Sequence, residues 1–168
     1  NRLGGNSLSD LIVFGKIAGE QAADSAKQVV SFTEIPRAEI DEVIIETLGP
    51  LSREGGENPA KVVRDLRVMM QEKAGIIRTG GLLQEALSDL DDLERRAAVT
   101  SPGGGRVYNP AWHQALELGA MIEVSRMCAL AAHRREESRG AHTRDDFPEV
   151  DQSHWGKVNS VITMRDDG

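Results

Sequence analysis

Aromatic residues are scarce in this chain: Phe, Trp and Tyr make up 4% of its 168 residues. A β-sandwich leans on aromatic and β-branched pairs, so the shortage favours a core of Leu, Ile, Val, Ala and Met packed helix on helix. Cysteine is scarcer still. A lone Cys128 rules out an internal disulfide and fits a reducing compartment. No apolar run approaches the roughly 18–20 residues needed to cross a bilayer. No Lys/Arg cluster dominates, because Arg134-Arg135 is followed at once by Glu136-Glu137, and the net charge is −7. A nucleic-acid partner is therefore not expected. There is no initiator Met and no visible secretory signal. The chain opens in the middle of what reads as a site, so a domain is expected upstream.

Motifs of chemistry are equally sparse. His113, His133, His142 and His154 have no Cys or His partner at ligand spacing, so no metal site is expected. Gly103-Gly104-Gly105 lacks the Lys-Ser/Thr of a phosphate loop. No Gly-x-Gly-x-x-Gly fingerprint occurs, so this chain cannot build a dinucleotide-binding fold by itself. Cys128, Met69-Met70 and Met121 read as core packing, and the acidic run over residues 89–94 as a solvated helix face.

What the chain does hold is helical pattern. A first helix is predicted over residues 8–30, with Ser7 as N-cap and Asp10 completing a capping box. Its early turns are apolar almost all round (Leu8, Leu11, Ile12, Val13, Phe14, Ile17), the mark of a helix buried in a larger protein. Pro36 opens a second helix that Gly49-Pro50 should stop. Residues 52–57 read as a flexible linker and domain boundary. A bundle of about three long helices should follow. Asn58-Pro59 caps the first, whose apolar spacing reaches Ile77. Gly80-Gly81 breaks the chain before a helix over 82–98. A mobile loop over 101–106 precedes a central helix over 110–137, capped by Asn109 and covered by its neighbours. A short strand is expected within residues 158–163, where apolar and polar positions alternate.

Two stretches invite a functional reading. Asn1-Arg2-Leu3-Gly4-Gly5-Asn6-Ser7-Leu8 sets an arginine and two glycines before a helix start. A guanidinium pairs with a carboxylate through two parallel hydrogen bonds, glycines admit a flat ligand against the backbone, and the helix end offers free N–H groups. Taken bare, such a loop is more often only a turn. Glu137-Ser138-Arg139-Gly140-Ala141-His142 forms a compact turn leaving a helix, suited either to facing a ligand or, the plainer reading, to clamping two domains together.

Both strings resemble the flavoprotein subunit of succinate dehydrogenases and fumarate reductases. So do Val13-Phe14-Gly15, the run from Thr143-Arg144-Asp145-Asp146 to Phe147-Pro148, Asn58-Pro59, the Gly75-Ile76-Ile77-Arg78 turn and residues 82–96. The match is poor over residues 30–57. The related L-aspartate oxidases share the layout, but Gly4-Gly5 and Ala141-His142 are closer to the first group.

The resemblance implies a mainly α fold: the last helix of an FAD-binding domain (residues 1–31), a linker with one helix (32–57), a helical bundle (58–140), and a short β or irregular tail (141–168) packing on the FAD domain. It implies that Arg2 binds a carboxylate of succinate or fumarate and that Ser7 and Leu8 contact FAD. It places no catalytic residue in this chain. The implied reaction is hydride transfer between succinate and FAD, with electrons passing to an iron–sulfur subunit and on to quinone. A membrane anchor subunit would hold the complex on the inner, cytoplasmic face of the cell membrane. The chain alone is expected to be inactive. Two other readings are a stand-alone helical interaction module and a portion of an L-aspartate oxidase.

Overall fold

The bundle starts where Asn58-Pro59 predicts. The Asn58 side chain accepts from the Ala60 N–H at 2.9 Å, and Pro59 takes the first helical position, where a missing N–H costs nothing. A computed structural model describes residues 6–31 and 33–163. The elements run α1 (Asn6–Gln28), α2 (Arg37–Ser52), α3 (Pro59–Lys73), β1 (Ile77–Arg78), α4 (Gly80–Ala98), α5 (Pro110–Arg134) and β2 (Thr143–Arg144). The chain divides into two compact units, Asn1–Asp41 and Glu42–Gly168.

In the first unit α1 already includes Asn6, so Ser7 lies in the first turn rather than in front of it. Leu8, Leu11, Ile12, Val13, Phe14 and Ile17 are all exposed, and nothing lies within 4 Å of a Cβ built on Gly15 or Gly19. Lys16–Glu20 and Lys27–Asp24 ion pairs run along the helix at the spacing that supports it.

In the second unit α3, α4 and α5 share one core. Val62, Val63, Leu66 and Met69 meet Ala86, Leu90 and Leu93, and Leu118, Ile122 and Ala129 complete it. Thr79 caps α4, its hydroxyl accepting from the Leu82 N–H at 3.3 Å. Asn109 caps α5 as predicted, accepting from the Trp112 N–H at 3.1 Å.

Several expectations need correcting. Gly49-Pro50 does not stop α2. Pro50 sits in the last turn, buried, and the helix runs on to Ser52, whose hydroxyl donates to the Gly49 carbonyl. Residues 52–55 are exposed, but Gly56 and Glu57 are half-buried and tied to the bundle. Ser101 N–H donates to the Glu57 carbonyl at 2.9 Å, and a Cβ on Gly56 would sit 2.2 Å from the Val99 carbonyl oxygen. Arg96 clasps the Glu57 carboxylate with two bonds and Lys61 adds a third, holding its pKa down to about 2. The loop over 101–106 is likewise tied, since the Asn109 amide donates to the Gly103 and Gly105 carbonyls. Gly80-Gly81 opens α4 instead of breaking the chain before it.

The helix read as central, α5, ends at Arg134 and is covered on one side only. Leu118, Ile122 and Ala129 are buried, while Leu116 and Val124 are exposed, and so is Cys128. Residues 158–163 form no strand. The described β structure is elsewhere: β1 pairs in parallel with β2, Ile77 opposite Thr143 and Arg78 opposite Arg144. The periodicity that extended α3 toward Ile77 is broken at Gly75, and the chain turns into this pair. The acidic run is a solvated face, with Lys73 pairing to Asp89, and Arg126 to Asp91 and Glu94. Among the described residues no helix is long and apolar enough to cross a membrane.

Candidate functional site

Three residues were singled out for ligand contact. Arg2 lies outside the described residues. Ser7 belongs to the first turn of α1, and its side chain is outside the described set. Leu8 is in the same turn and is 69% exposed. That turn carries no acidic residue, so no carboxylate of its own neutralises the partial positive charge of the helix start.

The second motif builds a dense polar knot around the end of α5. Glu137 is fully buried. Its Oε1 accepts from Arg135 Nη1 at 2.6 Å and Arg139 Nε at 2.9 Å. Oε2 accepts from Arg139 Nη2 at 3.0 Å and the Asp151 N–H at 2.9 Å. All four bonds favour the ionised form, and the fork with Arg139 does most to hold the carboxyl down to about 2. Arg139 and His142 exchange backbone bonds of 2.8 and 3.0 Å across a two-residue turn. Gly140 takes φ +61° there, which a side chain would oppose.

Arg144 is 2% exposed and ties two helix ends together. Its Nη1 donates to the carbonyls of Ala132, His133 and Arg135, the orphan acceptors that close α5. Its Nε and Nη2 form a fork with Asp146, both bonds 2.8 Å. Asp146 Oδ2 in turn accepts from Gly80 N–H at the start of α4. A cation thus sits at a helix C-terminus and an anion at a helix N-terminus, each matched to the macrodipole. Arg144 first, then the Gly80 N–H, holds the Asp146 carboxyl well below its ordinary range. The Arg144 guanidinium also lies 4.9 Å from the centre of the Phe147 ring.

His142 completes the knot. Its Nε2 is 3.2 Å from the Arg135 carbonyl and its Nδ1 is 2.8 Å from Arg78 Nη1. A carbonyl cannot donate and a guanidinium cannot accept, so Nε2 carries the proton and Nδ1 is the bare acceptor. Burial, and then the charges of Arg78, Arg144 and Arg135, push its pKa down against the carbonyl bond to Arg135.

This motif fastens elements of the second unit to one another, and its contacts test neither a ligand nor a clamp between two domains. Its carboxylates are saturated by arginines, and no buried side-chain polar atom among the described residues is left without a partner. It ties the end of α5 to β1 and the start of α4. Sequence reasoning missed Arg144 and Arg78 as members. Their only signal was membership of the two quoted strings.

Comparison with known proteins follows the same outline. The family model for "Fumarate reductase flavoprotein C-term" matches residues 63–168. The fumarate reductase flavoprotein subunit of Mycobacterium tuberculosis strain H37Rv is 35% identical over all of this chain and 30% of its own length. That of Escherichia coli K12 is 37% identical over 99% of this chain and 28% of its own. Among solved structures, the Mycobacterium smegmatis Sdh1 complex in the apo form superposes with a TM-score of 0.84 at 45% identity, covering 90% of this chain and 26% of that one. The chain therefore spans about 30% of the length of the curated relatives it matches.

Proposed function

The chain belongs to the succinate dehydrogenase and fumarate reductase flavoprotein family, and from that premise we propose that it is part of an oxidoreductase interconverting succinate and fumarate. The observation that carries this is the matched family model together with likeness to such subunits over nearly the whole chain.

In this reading residues 1–31 end an FAD-binding domain, 32–57 link it to the bundle of 58–140, and 141–168 pack back on the FAD domain. Bound FAD supplies a two-electron acceptor for hydride from a substrate C–H bond. This chain's residues position and polarise. Arg2 holds a substrate carboxylate by a bidentate pair. Ser7 and Leu8, at the start of α1, line the cofactor, and the helix end stabilises negative charge beside them. No proton-transferring residue is assigned to this chain, and alone it is inactive. Its partners are an iron–sulfur subunit, which takes the electrons on to quinone, and a membrane anchor subunit. Through them it sits at the cytoplasmic face of the cell membrane.

The test is made on the complete open reading frame that includes this segment. Purified with its partners, it should be yellow and should oxidise succinate with an artificial acceptor. Arg2→Ala should lower kcat/KM about 30-fold or more, the loss expected for removing one partner of a buried charge pair. Unchanged kcat/KM in that variant would remove Arg2 from the site. Activity on aspartate instead of succinate would favour the L-aspartate oxidase reading.

A further inference from the structure

Beside the knot lies a cavity of about 490 Å³ whose lining includes Arg78, Arg135 and His142. That volume is in the range of small-molecule sites. In a chain of net charge −7, this lining contains two guanidiniums and an imidazole but no carboxylate.

The two arginines are not equivalent. Arg135 is already paired with Glu137 at 2.6 Å and lies 5.1 Å from the Trp155 ring centre. Arg78 makes no ion pair among the described residues. Its Nε donates to the Ala74 carbonyl at 3.1 Å and its Nη1 to His142 Nδ1 at 2.8 Å. Of the five N–H groups of a guanidinium, two are thus engaged, and the remaining three have no hydrogen-bond partner among the described residues of a side chain that lines the cavity. An uncompensated, half-buried guanidinium with free donors in a concave wall is arranged for an oxyanion.

We propose that this cavity binds a small carboxylate anion, gripped by the free N–H groups of Arg78 and, once its Nδ1 is protonated, by the His142 imidazolium. Empty, the pocket favours neutral His142, because Nδ1 must accept from Arg78. The charged groups facing the ring are Arg78 of β1, Arg135 beyond α5 and Arg144 of β2, all cations. The knot's carboxylates, Glu137 and Asp146, are committed to Arg135, Arg139 and Arg144. An anion between Arg78 and His142 supplies the missing negative charge, so its binding takes up a solvent proton at Nδ1. Affinity and His142 protonation are then linked reciprocally. None of these residues is Arg2, Ser7 or Leu8, so the failure of the flavoprotein proposal leaves this one standing.

The experiment titrates the complete protein that includes this segment, carrying Arg2→Ala to silence the proposed substrate site, with malonate at constant ionic strength, against chloride and inorganic phosphate, by calorimetry and by the His142 ring proton resonance. Malonate should bind about tenfold tighter at pH 5.5 than at pH 7.5, and should move the His142 titration toward higher pH. Arg78→Gln should weaken binding more than tenfold, and His142→Asn should flatten its pH dependence. Should Arg78→Gln fail to fold, Arg78→Lys keeps the charge and loses the fork, and it should bind more weakly than wild type. Malonate binding no tighter than chloride, a His142 titration indifferent to malonate, or full affinity in whichever Arg78 variant folds would overturn the site. Equal affinity for phosphate would overturn its assignment to carboxylates.

Discussion

Leu90 in the core and Glu137 in the knot are both fully buried, yet they are held by different physics. Leu90 touches neighbours without direction, and its burial is proportional to area removed from water. Glu137 is charged, and its burial is tolerable only because three donor residues supply four hydrogen bonds to its two oxygens. The core resists change smoothly, and the knot tolerates it poorly, because each lost partner strands a charge.

The most severe way to break this comparison is Arg144→Ala. It takes the guanidinium fork from Asp146, leaving that carboxylate only the Gly80 N–H, and removes the donor shared by the Ala132, His133 and Arg135 carbonyls, so it should cost about 4 kcal/mol in urea unfolding. Leu90→Ala should cost about 3 kcal/mol, from lost transfer energy and a cavity. If Leu90→Ala proves the costlier, the knot is not the more demanding region. A finer distinction lies in pH. The Glu137 pKa is lowered from its ordinary value to about 2, so its stabilising share is complete above pH 4.5 and is lost as pH falls toward 2. Leu90→Ala should lower the stability–pH curve evenly. Glu137→Gln should also flatten its acid limb over that window. Parallel acid limbs for Glu137→Gln and wild type would remove Glu137 from the linkage.

The core was legible because helices announce themselves locally. Asn58-Pro59, Asn109 and the apolar spacing from Val62 to Met69 and from Leu83 to Leu93 are enough to place α3, α4 and the start of α5. What remained hidden is non-local. Gly56 reads as linker because glycine is flexible alone, but here it lets the backbone press against Val99. Cys128 reads as core because cysteines are commonly buried, but it lies on the uncovered side of α5. Pro50 reads as a stop, but the helix runs two residues past it with the proline ring buried. The parallel pairing of β1 with β2 joins stretches whose pattern says nothing of each other. Arg2, the residue on which the proposed substrate site rests, lies outside the described residues, so its role comes from resemblance alone.

The bond from Gly80 N–H to Asp146 and that from Asp145 N–H to the Arg78 carbonyl join segments more than sixty residues apart. Closing so long a loop is entropically unfavourable until α4 and α5 already lie side by side. The knot should consequently form after the folding transition state and act as a latch on a bundle already assembled. Damage to it would then leave the folding rate nearly intact and surface as faster unfolding, a shortened lifetime of the folded chain.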